Sequence, residues 1–162
     1  MGAWILQVDP NSFGEGHPVW QRGEVDWWCL SRRLHVRKGD TVFLWQAIDY
    51  RCDPPRPRGI YARATITAVP PLTPEETADI DALKEFGLGN WANSKKRAEL
   101  ESRPVSVLLK YEESYAGQPL TKDEITEAGL DRQLHLVQFP NQEGCPITDF
   151  EARAILTLFS RR

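Results

Sequence analysis

The sequence predicts an α+β fold in which five or six mostly antiparallel strands curve into a small barrel with helices at its periphery. Three observations predict it. Four strand-like runs precede the first helix signal, so strands do not alternate one for one with helices as in a parallel α/β sheet. The longest run, Gly59 to Val69, alternates between small apolar and polar residues. Helix-capping patterns begin at Thr73 and then separate the remaining strands. At 162 residues the chain fits one domain spanning 1–162, large enough to bury a core without staples.

The elements follow in order. Trp4 to Val8 is a short apolar strand, stopped by the turn chemistry of Asp9-Pro10-Asn11. Phe13 to Gly23 is polar and glycine-bearing, a short helix or loop. Val25 to Leu30 is a second strand. Arg37-Lys38-Gly39-Asp40 makes a tight turn that launches Thr41 to Ala47, whose β-branched and aromatic content marks a buried strand. Three prolines and mixed charge make 48–58 a surface loop. Gly59 to Val69 sets Ile60, Ala62, Ala64, Ile66 and Ala68 on one face and Tyr61, Arg63, Thr65 and Thr67 on the other. Thr73, Pro74 and Glu76 open a helix that should reach about Phe86, with a second helical piece over 92–101. Val105 to Tyr111 and Leu134 to Phe139 read as strands. Thr121 with Glu124, and Thr148 with Glu151, cap two further helices; the last carries Phe150, Ala154, Ile155, Leu158 and Phe159 on one stripe.

Composition excludes several function classes. The net charge of −3 is not that of a globally basic nucleic-acid binder. Cys29, Cys52 and Cys145 are odd in number and form no C-x-x-C pair, so neither a zinc knuckle nor a disulfide framework is indicated, and a reduced, cytoplasmic setting is expected. No apolar run approaches a membrane span, and the apolar part of MGAWILQVDP is short for a secretory signal. His17, His35 and His135 share no ligand spacing, and the nucleophile-elbow and phosphate-loop motifs do not occur. Asp79, Asp81 and Glu85 fall on a helix face expected to be solvated. The expectation is a protein that is not an enzyme and needs neither cofactor nor metal.

Aromatic and basic residues point elsewhere. Six tryptophans is a high number for this length. Trp27 and Trp28 are adjacent in a strand, so they divide between opposite faces; one can pack in the core while the other offers a flat surface on which a base stacks. Arg32, Arg33, Arg37 and Lys38 follow within about ten residues. Residues 1–63 carry nine Lys/Arg against seven Asp/Glu, net +2, whereas the rest of the chain is net −5. A local basic face beside the aromatics suffices for phosphate contacts, for which Arg32, Arg33 and Lys38 are the candidates.

Several strings together resemble the EVE domain family. Trp4 to Pro10 followed by Phe13 is similar to its opening strand, Arg37-Lys38-Gly39-Asp40-x-Val42-Phe43-x-Trp45 to its I-K-x-G-D-x-V-F-x-W segment, and Gly59-Ile60-Tyr61-Ala62 to its G-I-Y-A strand. Trp91 is similar to the tryptophan of its middle insertion, and Gly144 to Thr148 to the string opening its last helix, with Pro146 and Ile147 where an aromatic is usual. The resemblance covers almost the whole chain. It implies a PUA-like fold related to YTH domains and a cage for a flipped, modified base in DNA or RNA. By that resemblance Val8, Asp9 and Asn11 lie at one side of the cage and Trp28-Cys29 at another. The second aromatic wall falls to Tyr111, with Trp91 and Trp45 as alternatives. The implied partner is nucleic acid bearing a 5-methylcytosine-like or methyladenine-like base, read by a monomer, with any cutting left to a nuclease acting in trans. The alternative reading is a binder of small molecules or modified nucleosides, or an RNA-associated accessory domain, using the same cage without a duplex.

Overall fold

The computed structural model describes residues 2–8, 20–30, 34–50, 52–86, 105–130 and 144–162, the side chains of residues 8, 29 and 84–86 aside. Seven strands lie among the described residues: β1 (Ala3–Val8), β2 (Val25–Leu30), β3 (Thr41–Gln46), β4 (Gly59–Ala68), β5 (Val105–Ser114), β6 (Leu120–Thr121) and β7 (Gly144–Ile147). Three helices accompany them among the described residues: α1 (Pro74–Phe86), α2 (Lys122–Glu127) and α3 (Asp149–Ser160). The strands form one mixed sheet in the order β2-β5-β4-β3-β1-β7, with β6 added to β4. The fold is the α+β architecture expected, a curled sheet with helices at its periphery, with two differences. The pair β1/β3 is parallel, and among the described strands the sheet does not close by hydrogen bonding, leaving β2 and β7 as its ends. The sheet still curls: Leu34, just beyond β2, lies beside Gly144 of β7 and Leu6 of β1. The strand expected at 134–139 and the helical piece at 92–101 lie outside the described residues.

Both faces of the sheet are buried, which is why its strands read as near-continuous apolar runs. Ile5, Phe43, Trp45 and Ile60 point to one side, where Ile125 and Leu130 by α2 and Ile155 of α3 cover them. Leu6, Leu30, Val42, Leu44, Tyr61, Val107, Leu109 and Tyr111 point to the other, inside the curl. A third, smaller cluster joins Trp27, Ala68 and Leu108 to Ile80 of α1. The alternation expected in β4 is broken by register shifts at Arg63/Ala64 and Ile66/Ala68, and another opposite Leu44/Trp45. The last of these skips Tyr61 in the pairing, so its ring is fully buried and not on a polar outer face. Such bulges bend and twist a strand, as a curled sheet requires.

Capping proceeds as the sequence indicates. Thr73 and Glu76, Thr121 and Glu124, and Thr148 and Glu151 each exchange hydrogen bonds in a reciprocal box. Phe150 departs from the expected stripe of α3: it sits in the first turn and is 65% exposed.

The turn 37–40 anchors the sheet. Gly39 takes φ 91°, a conformation that favours glycine. Its N–H donates to the Ile66 carbonyl, and the Asp40 carbonyl accepts from the Ile66 N–H. The Asp40 side chain, 3% exposed, accepts from the Gly2 N–H (2.8 Å), the Trp4 Nε1–H (2.9 Å) and the Arg37 N–H (2.8 Å). One carboxylate therefore fastens the start of β1 to the entry of β3. Asp40→Ala strands three donors and should cost about 3–5 kcal/mol, hydrogen bonds to charged groups being individually strong. Urea unfolding measures this; a loss below about 1 kcal/mol would show that the clasp is dispensable.

Candidate functional site

The residues with chemistry to offer gather where β2 meets β5. Their pairing is antiparallel, with Asp26 opposite Leu109 and Trp28 opposite Val107. Alternation along β2 puts Asp26, Trp28 and Leu30 on the inner face. Trp27 points the other way and is buried against α1 at 5% exposure. Trp28 packs on the inner cluster but stays half-buried, so part of its indole remains accessible.

A hydrogen-bond chain holds this indole. Asp26 Oδ1 accepts from the Trp27 N–H at 2.7 Å, and Asp26 Oδ2 accepts from the Tyr111 hydroxyl at 2.5 Å. The Trp28 Nε1–H points at the Tyr111 oxygen from 3.5 Å, a distance that orients the ring more than it stabilises it. Burial pushes the Asp26 carboxyl above its usual range, partly offset by the hydrogen bonds from Tyr111, Trp27 and Trp28. Burial, and then the Asp26 charge, push the Tyr111 hydroxyl well above its usual value, so it remains a neutral donor. The arrangement is an aromatic surface held by hydrogen bonds, with a carboxyl group at its edge. Among the described residues no group of three or more His, Cys, Asp or Glu side chains could hold a metal ion.

The structure thus brings two expected site residues together, Trp28 and Tyr111, and adds Asp26. The sequence carried a signal for Asp26 in its i, i+2 spacing from Trp28. Trp45 is a correction. The alternation of β3 places it with Phe43 on the opposite side of the sheet, 1% exposed against Ile5 and Ile155, so it cannot wall a pocket at Trp28. Val8 ends β1, paired with Gln46, and Cys29 lies in β2. Lys38 is exposed in the turn before β3. Asp9, Asn11, Arg32, Arg33 and Trp91 lie outside the described residues. Gln46 was not foreseen: it is fully buried, and among the described residues neither amide atom has a hydrogen-bond partner.

No protein-family model matches the sequence, and no curated protein matches it. Solved structures do match. A Pseudomonas syringae protein shares 17% identity at a TM-score of 0.56, over 96% of this chain and 98% of its own. A Rhodopseudomonas palustris protein shares 15% at 0.53, over 98% and 92%. Human THYN1, solved in complex with DNA containing 5-methylcytosine, shares 16% at 0.53, over 98% and 97%. At such identities the likeness is one of fold, and it extends over the whole chain. No helix among the described residues is long and apolar enough to cross a membrane.

The raised Asp26 pKa has a consequence for stability. The folded protein holds that proton more tightly than the unfolded chain, whose value is 3.8. Asp26 therefore contributes less to stability as pH rises from about 4 through its shifted value, and its contribution is constant above that. The stability of the wild type relative to Asp26→Asn should accordingly fall between pH 4 and pH 7 in parallel urea titrations. A relative stability that rises over this window would mean that the Tyr111 and Trp27 hydrogen bonds outweigh desolvation.

Proposed function

We propose that this protein reads a modified base in DNA or RNA by stacking it on Trp28, and leaves it chemically unchanged. The observation that carries the reading is the half-buried indole on the inner sheet face, fixed through Tyr111 to Asp26. Support comes from the whole-chain likeness in fold to a human protein solved with DNA containing 5-methylcytosine. Extruding a base costs a few kcal/mol, which stacking and hydrogen bonds to the base edge offset. Arg32, Arg33 and Lys38 are assigned to the phosphates, where contacts set register and not sequence.

A second reading, a binder of modified nucleosides without the polymer, draws on the net charge of −3. Salt separates the two. A polymer reader loses affinity with a slope near −0.9 per phosphate neutralised on duplex DNA, whereas a nucleoside binder scarcely responds.

Fluorescence titration of an oligonucleotide carrying one 5-methylcytosine is the test. Trp28→Ala should fold, since the ring is half-buried, and should bind more weakly by about 1–3 kcal/mol, the worth of one stacked base. The oligonucleotide should show an unchanged mass after prolonged incubation. Equal affinity of Trp28→Ala and wild type would remove the stacking surface from the account, and a mass change lost in the variant would make the protein an enzyme.

A further inference from the structure

The inner face of the sheet is apolar around Asp26: Leu109 stands opposite it, and Trp28 and Leu30 follow on the same face. A carboxylate in such surroundings is costly unless its acceptor capacity is used. It has about four lone-pair sites. Two are filled, by the Trp27 N–H and the Tyr111 hydroxyl, with the Trp28 N–H acting from farther away. No cation among the described residues bridges it, and the neighbouring charge acting on it is the like charge of Glu24. Holding Tyr111 in place needs one acceptor, which a neutral amide would supply. Asp26 is incompletely covered, as is Trp28 two residues on along the same face, so the remaining capacity is within reach of the rim of a base stacked on Trp28.

The chemistry of that rim decides what fits. Cytosine and adenine carry an exocyclic amino group, a pure donor. Thymine and uracil lack an amino group and present carbonyl oxygens on either side of a ring N–H, whereas guanine carries both an amino group and a carbonyl oxygen flanking its ring N–H. A carboxylate accepts from an amino group and repels a carbonyl oxygen, so it selects by attraction and by exclusion together. It repels phosphate as well, which confines its role to the base edge.

We propose that Asp26 is the specificity-determining residue of this site, its carboxylate accepting a hydrogen bond from the exocyclic amino group of the bound base. The proposal rests on the stacking site at Trp28 and adds to it the class of base admitted: bases with an exocyclic amino group over thymine and uracil, which have none.

The test compares 5-methylcytosine with thymine, which share the methyl group and differ along one edge. Each is placed opposite an abasic site in an otherwise identical duplex, so that neither must break a base pair to flip. Wild-type protein should favour the 5-methylcytosine duplex by roughly 5- to 150-fold, the range for one good base-edge contact. Asp26→Asn should bring the ratio close to one, because an amide can turn to meet either edge. Asp26→Ser serves as the second variant should the amide fail to fold, with tryptophan emission and urea unfolding as controls. A residue that merely supports Tyr111 would lower affinity for both duplexes and leave the ratio unchanged. An unchanged ratio in a folded variant, or a wild-type ratio near one, overturns the proposal while the stacking site stands. Wild-type protein that binds neither duplex overturns the stacking site as well.

Discussion

The carboxylate of Asp40 is the constraint on which the rest of the molecule depends. Strands β1 and β3 are parallel neighbours, so no hairpin turn fixes their register. Asp40 does so by accepting from the backbone of Gly2 and the indole of Trp4 while closing its own turn on Arg37. In a sheet buried on both faces, a slip of one residue would exchange Phe43 and Trp45 with Val42 and Leu44. It would also break the match of β1 to both partners, β3 and β7. The same turn bonds to Ile66 and so ties β1 and β3 to the strand that carries β5 and, beyond it, β2. The position of Trp28 is in this sense set from the far side of the sheet.

The adjacent tryptophans divide the work of β2. Trp27 secures α1 to the outer face, where its value is packing. Trp28 faces inward and is incompletely covered. The neighbouring carboxylate and phenol turn a hydrophobic surface into one with direction: a ring to lie on and a polar edge to meet. The cost of burying Asp26 is visible in its raised pKa, and a structure that keeps such a group on an apolar face keeps it at some expense to stability. Sites that bind planar polar ligands commonly have this composition, apolar walls with a few polar groups.

Much of this was legible in the sequence. The reciprocal Thr–Glu spacings located the starts of three helices because capping is local chemistry. The glycine of Arg37-Lys38-Gly39-Asp40 announced its turn, and the adjacency of Trp27 and Trp28 implied opposite faces. What escaped was non-local. The parallel pairing of β1 with β3 has no sequence signal of its own, and the short strands β6 and β7 contain too few residues to show a period. The bulges of β4 broke an alternation that looked clean, burying Tyr61. Trp45 was placed with the site because aromatic content carries no face, and the alternation of β3 assigns it to the other one. Asp26 was overlooked although its spacing from Trp28 gave its face; its significance depends on Tyr111, 85 residues away.

The central claim, that the accessible face of Trp28 receives the base, is tested most directly by the indole N–H signals in a nitrogen-15 NMR titration with a 5-methylcytosine oligonucleotide. Assignment follows from single Trp→Phe variants. The account predicts that the Trp28 Nε1–H resonance moves on binding while those of the buried Trp27 and Trp45 stay in place. A titration that shifts Trp27 or Trp45 and leaves Trp28 unmoved, with binding confirmed, would contradict it.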